Sequence, residues 1–160
     1  MSTRKEIKSL IVYKAEQHQL DPKLLLALAY TESSYRPFVT TYETDYRWLY
    51  KLEEMAKEMG VTVVTEKVHQ QTSWGLCQVM GAVAREYGFR LHMPELCDPL
   101  TNLEYACIHL KKKIKQYSLK DPIDIYACYN AGRVEKKNGE YVNKKNVDRF
   151  KLNLSKVTLP

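Results

Sequence analysis

A chain of 160 residues is long enough for one domain around one sizeable core, and 44% hydrophobic with 28% charged residues excludes a disordered chain. The formal net charge of +6 favours anionic partners. It comes with no zinc spacing, no basic stripe interleaved with aromatics and no nucleic-acid-binding motif, so nucleic acid is not an expected partner.

The chain reads as a series of helices. Thr3 followed by Glu6 forms a capping-box pattern, and Ile7, Leu10, Ile11 and Ala15 continue at helical spacing. Asp21-Pro22 opens a second helix, because Asp caps free N–H groups and Pro fits the first turn. Its body, Leu24-Leu25-Leu26-Ala27-Leu28-Ala29-Tyr30, is apolar on nearly every side and belongs at the centre of the domain. Residues 38–45 read as a loop. Tyr46 to Met59 reads as an amphipathic helix stopped by Gly60, with Trp48, Leu49, Leu52, Met55 and Met59 facing inward. Val61 to Val64 are rich in β-branched residues and predict a short strand. A helix is expected from about Leu76 to Tyr87, ending at Gly88. Asp98-Pro99 and Asp121-Pro122 repeat the earlier start signal. The first leads into an inward stripe of Leu103, Cys107, Leu110 and Ile114. The second opens a helix closed by Gly132. Residues 133–146 read as a polar, basic loop, and a last helix carries Val147, Phe150, Leu154 and Val157. The expected fold class is therefore mainly α, a single domain over residues 1–160, with one short β segment near 61–70.

No apolar run is long enough to cross a bilayer, so stable membrane insertion is not expected. The opening MSTRKEIKSL lacks a secretory apolar region, so the chain is expected either to be made as a cytosolic protein or to be a mature fragment. Cys77, Cys97, Cys107 and Cys128 form no CxxC pair. Buried thiols are expected from them, rather than a metal or redox site.

Glu32 is the candidate catalytic residue. It shares a helix face with Leu25, Leu28 and Ala29, so its carboxyl group either points from the core into a cleft or lies on the solvent side of a frayed helix end. In a cleft, desolvation and the carbonyl end of the helix both raise its pKa, and a carboxyl group that keeps its proton near neutral pH can act as a general acid.

Four blocks carry a resemblance. Glu32-Ser33-Ser34-Tyr35-Arg36-Pro37, Ser73-Trp74-Gly75-Leu76-Cys77-Gln78-Val79-Met80, Asp98-Pro99 with Asn102, and Ala127-Cys128-Tyr129-Asn130-Ala131-Gly132 occur in that order. Each resembles a signature block of the lytic transglycosylases with a soluble-transglycosylase (SLT, goose-lysozyme-like) domain. The resemblance implies a lysozyme-like α fold, peptidoglycan glycan strands as substrate, no metal and no cofactor. It also implies a single glutamate, Glu32, that protonates the bond between N-acetylmuramic acid and N-acetylglucosamine. The same group then takes the C6 hydroxyl proton as a 1,6-anhydro ring closes. By the same resemblance Tyr129 is expected to hydrogen-bond and orient Glu32. Gln78 is expected to bind sugar groups. Asn130 is either a substrate contact or, with Gly132, a shaper of the turn. Ser73 is either a sugar contact or a helix cap, and Asp98 is a helix cap rather than a catalyst. The chain departs from the pattern at Cys77, where Met is usual, and at Gly81, where Pro often follows. Its stretch Tyr42-Glu43 and Tyr46-Arg47-Trp48-Leu49, in a long insertion between Pro37 and Ser73, resembles phage-associated relatives.

Two other functions stay open on the sequence. One is a hydrolytic muramidase using Glu43, otherwise expected as a substrate contact, or Asp45 as a base, which needs the two carboxyl groups about 6.5–9.5 Å apart. The other is a non-catalytic wall-binding or virion module. The expected setting is a monomeric phage endolysin, made in the host cytoplasm and acting on the wall in the periplasm, with a virion-associated wall-penetrating enzyme as the alternative.

Overall fold

The computed structural model describes residues 3–160. The Asp-Pro pairs and the capping box start helices where the sequence places them. Helix α1 (Arg4–Gln17) begins at the reciprocal Thr3–Glu6 capping box. Helices α2 (Pro22–Ser33), α6 (Pro99–Tyr117) and α7 (Pro122–Ala131) are N-capped by the carboxylates of Asp21, Asp98 and Asp121, each with Pro in the first turn. An Asp cap accepts from otherwise unpaired N–H groups, and a cap of this kind is worth about 1 kcal/mol. Helix α2 runs through the core, with Leu24 to Ala29 all buried. Helices α1 and α8 (Lys144–Lys156) pack on it, and α6 and α7 complete the layer. Asn153 of α8 donates to the Thr31 hydroxyl of α2 at 2.9 Å, a buried polar tie between the two helices.

Between α2 and α6 the sequence reading departs from the structure in four places. Residues 40–42, expected as loop, form strand β1 (Thr40–Tyr42). The helix expected over Tyr46–Met59 forms only as α3 (Leu52–Met59), though Gly60 ends it in the left-handed conformation as expected. The segment before it is held in an irregular, non-helical conformation by side chains. Gln71 donates to the carbonyls of Thr44 and Tyr46, and Gln70 exchanges two bonds with the backbone of Tyr50. Trp48, expected inward, is exposed.

The strand expected at Val61–Val64 is instead the start of helix α4 (Val63–Gln70), capped by the Thr62 hydroxyl, so the β segment near 61–70 is corrected to helix. The helix expected from Leu76 is a hairpin of β2 (Thr72–Trp74) and β3 (Val79–Met80), followed by the short α5 (Gly81–Glu86). The strands form one antiparallel sheet in the order β1-β2-β3, with Thr41 opposite Ser73 and Ser73 opposite Met80. A 3-10 turn (Met93–Cys97) leads to α6. The expected loop 133–146 contains a second small hairpin, β4 (Lys136–Lys137) and β5 (Glu140–Tyr141).

A buried ion pair anchors this middle region. Arg85 grips Glu66 through Nε at 2.8 Å and Nη2 at 3.2 Å, and its Nη1 donates to the carbonyls of Phe89 and Leu91. Gln70 adds a third bond to the Glu66 carboxylate. All four cysteines are free and buried. Among the described residues no helix is long and apolar enough to cross a membrane, and no cluster of His, Cys, Asp or Glu is arranged to hold a metal.

Candidate active site

Glu32 sits one residue from the end of α2, where the chain must leave the helix sharply. Ser34 and Tyr35 both adopt positive φ, 56° and 63°, an uncommon conformation for residues with a Cβ. The turn is held by its surroundings. Tyr35 is buried, its ring lies 5.2 Å from that of Tyr30, and the Arg4 guanidinium stands 5.3 Å from both rings. Arg36 bonds back to the Ser33 carbonyl through its backbone N–H and its Nε. The block Glu32-Ser-Ser-Tyr-Arg-Pro is thus a strained helix stop that turns the chain away and leaves the Glu32 side chain at a cleft.

That cleft has a volume of about 1500 Å³ and is lined by Glu32 together with residues from β1, the hairpin, α6, α7 and α8. Burial pushes the Glu32 pKa above its usual 4.5, and the Glu43 carboxylate pushes the same way. A hydrogen bond from Tyr126 and the nearby Arg149 guanidinium oppose the rise without cancelling it. The Tyr126 hydroxyl donates to Glu32 Oε1 at 2.7 Å. Its ring is fully buried and stacks on Phe150 of α8, centroids 4.2 Å apart and planes 3° from parallel. Burial also raises the Tyr126 pKa, with the Glu32 charge adding to it, so the hydroxyl keeps its proton and remains a donor.

This corrects the bond expected from Tyr129. The Tyr129 hydroxyl donates instead to the Cys77 carbonyl at 2.7 Å, in the turn of the β2-β3 hairpin. The reason is helical geometry. Tyr126 and Tyr129 are three residues apart on α7, so they share a side of the helix but stand about one turn apart along it. The first reaches α2 and the second reaches the hairpin. Tyr129 still lines the cleft.

Ser73 and Gln78 line the cleft from the hairpin. Ser73 lies in a strand, so the helix-cap alternative does not apply, and its hydroxyl forms no hydrogen bond with another described residue. Gln78 is engaged within the protein. Its Nε2 donates to the carbonyls of Val39 and Gly75, and its Oε1 accepts from Thr41, which locks β1 against the hairpin turn. Gly75, at φ 73°, leaves no room for a side chain, since an added Cβ would come within 2.4 Å of Asn102 Nδ2. Asn102 fills that space and holds the turn, accepting from the Cys77 N–H and donating to the carbonyls of Trp74 and Leu96. Asn130 lines the cleft, and its Oδ1 accepts from Asn143 and Asn146, joining the end of α7 to α8. Asp98 is a helix cap. Glu43 and Asp45 both line the cleft, and Glu43 lies near enough to act on Glu32.

Tyr126, which lies behind Glu32, and the cleft residues Arg149 and His109 were not singled out from the sequence. Tyr126 precedes its motif by one residue, and helical spacing from Tyr129 could have marked it. Arg149 lies on α8 three residues after Asn146, and both reach the cleft. His109 accepts or donates a 2.8 Å bond with the Tyr87 hydroxyl, and burial, aided by Lys113 and Lys112, lowers its pKa to about 4.

A half-buried carboxyl group whose pKa is raised by desolvation, hydrogen-bonded by a tyrosine in an open cleft on a helical scaffold, suits a glycan-cleaving enzyme of the lysozyme kind. The model of the family described as Transglycosylase SLT domain matches residues 9–151, and the chain belongs to that family. Membership makes its substrate peptidoglycan and places it among the lytic transglycosylases. Neither the curated proteins nor the solved structures provide a match to this chain.

Proposed function

We propose that the protein cleaves the β1,4 bond between N-acetylmuramic acid and N-acetylglucosamine by a single-glutamate lytic transglycosylase mechanism. The observation that carries this reading is the desolvated Glu32 carboxyl group, held by Tyr126 at the floor of the cleft. The protonated carboxyl gives its proton to the glycosidic oxygen, and the leaving N-acetylglucosamine departs with that proton as a hydroxyl. Glu32, now a carboxylate, takes the proton of the muramoyl C6 hydroxyl as that oxygen bonds to C1. The Tyr126 hydroxyl stabilises the carboxylate between the two steps. The acid form of Glu32 is restored, and the product carries a 1,6-anhydro ring. Ser73, Tyr129 and Asn130 line the path of the strand and are proposed sugar contacts, while Gln78 acts by fixing the wall between β1 and the hairpin.

A second reading is favoured by one observation: the Glu43 carboxylate shares the cleft and acts electrostatically on Glu32. As a base it would activate water and make the protein a muramidase. Mass spectrometry of digested sacculi separates the two, because anhydro products are one water lighter than reducing-end products. Glu32→Gln should abolish clearing of purified sacculi. An unchanged clearing rate would sink the assignment of Glu32, whereas sacculi left intact by the unaltered protein would mark it as a wall-binding module. The setting proposed with this activity is phage lysis, with the enzyme acting on the wall in the periplasm.

A further inference from the structure

Tryptophan carries the largest apolar surface of any side chain and is seldom left in solvent. Trp48 is 76% exposed, and it lines the same cleft as Glu32. Its segment is not a loose loop. On one side Gln71 holds the carbonyls of Thr44 and Tyr46, and on the other Gln70 holds the backbone of Tyr50 at 2.7 and 2.9 Å. Both glutamines are buried, and Gln70 is itself fixed to the Glu66–Arg85 pair. The Tyr46 ring meets the indole edge-on at 5.5 Å. A rigid, buried framework therefore presents an exposed indole to the cleft. A ligand meeting it avoids the cost of ordering that backbone.

We propose that Trp48 is a glycan-binding platform, stacking on the apolar face of a sugar ring of the same strand at a subsite away from the cleaved bond. The chemistry fits the occupant. A pyranose ring offers a flat face of C–H groups to an aromatic face, and its hydroxyl and acetamido groups stay hydrated at the edges. The proposal rests on the reading of the cleft as the glycan site, and it assigns the insertion between Pro37 and Ser73 the role of lengthening that site.

The chain has two tryptophans, and the other, Trp74, is buried with its indole N–H bonded to the His69 carbonyl. Fluorescence quenching by iodide therefore reports on Trp48. In the Glu32→Gln protein, a hexamer of β1,4-linked N-acetylglucosamine should shield Trp48 from iodide and shift its emission to the blue, and the disaccharide should do so much less. Trp48→Ala should weaken hexamer binding roughly three- to tenfold, and Trp48→Tyr should restore most of it. In the otherwise native enzyme, Trp48→Ala should lower the ratio of cleavage rates on long against short peptidoglycan strands. Unaltered quenching at saturating hexamer, or equal hexamer affinity in wild type and Trp48→Ala, would overturn the platform. Shielding of Trp48 together with products that lack an anhydro ring would support the platform and overturn only the transglycosylase reaction.

Discussion

Glu32 is poised by four influences of opposite sign, and the three that come from side chains can be removed separately. Desolvation and Glu43 raise its pKa, while Tyr126 and Arg149 lower it. In the proposed reaction the group must begin protonated, so activity should fall as pH rises through its pKa. Arg149→Gln and Tyr126→Phe should move that alkaline limb to higher pH, and Glu43→Gln should move it lower. A pH–rate profile of kcat/KM checks all three, and a limb displaced in the opposite direction would contradict the assignment. Tyr126→Phe also removes the donor that steadies the carboxylate after it gives up its proton, a bond to a charged group worth about 1.5–3 kcal/mol. It should therefore cost at least tenfold in rate. Tyr129→Phe frees only the Cys77 carbonyl and should leave the alkaline limb in place.

The elements divide by how locally they are specified. The Asp-Pro starts of α2, α6 and α7 were legible because the cap and the proline act within one turn. Glu32 was legible because its helix is uniformly apolar. The β2-β3 hairpin was not. Every residue from Thr72 to Cys77 is buried, so the alternation that marks a half-exposed strand is missing and the run resembles a core helix. Val61–Val64 misled in the other direction, because two bonds from the Thr62 hydroxyl to Thr65 start a helix and outweigh a weak β preference. The inward placement of Trp48 failed because Gln70 and Gln71, more than 20 residues further along the chain, pin the backbone on either side of it in a non-helical conformation. The Glu66–Arg85 pair was invisible for the same reason of distance. Its side chains are 0% and 1% exposed, so breaking it strands a buried charge, and Glu66→Ala should cost about 3–5 kcal/mol in denaturant unfolding. Asn102→Asp exchanges one donor group for an acceptor facing the Trp74 and Leu96 carbonyls. It should lower the melting temperature and, through the hairpin turn, weaken activity as well.

At the scale of the whole molecule, the site groups give stability a pH dependence of two parts. His109 is neutral in the fold down to about pH 4, whereas an unfolded histidine protonates near 6.5. Between those values the unfolded chain binds more protons, so stability should fall as pH drops from 6.5 towards 4. His109→Gln should flatten that slope in thermal unfolding followed across this range. Glu32 acts in the other direction. Its raised pKa means that the folded state holds the proton longer, so the cost of ionising it is absent well below 4.5 and fully present above its folded pKa. Glu32→Gln should accordingly raise the melting temperature at neutral pH, with the gain fading in acid. Equal gains at both ends of the range would contradict a desolvated carboxyl group.

The four buried thiols lie on four different pieces of the chain: Cys77 in the hairpin turn, Cys97 at the end of the 3-10 turn, Cys107 in α6 and Cys128 in α7. Burial raises the pKa of each, so none is reactive while its cover stays in place. An alkylating reagent can therefore mark a cysteine only when its own region breathes open. The order in which the four take up label would rank those regions by opening rate without a single added probe. The hairpin turn, pinned by Asn102 and Tyr129, should be among the slow ones, so the wall of the cleft would outlast its rim as the protein begins to come apart.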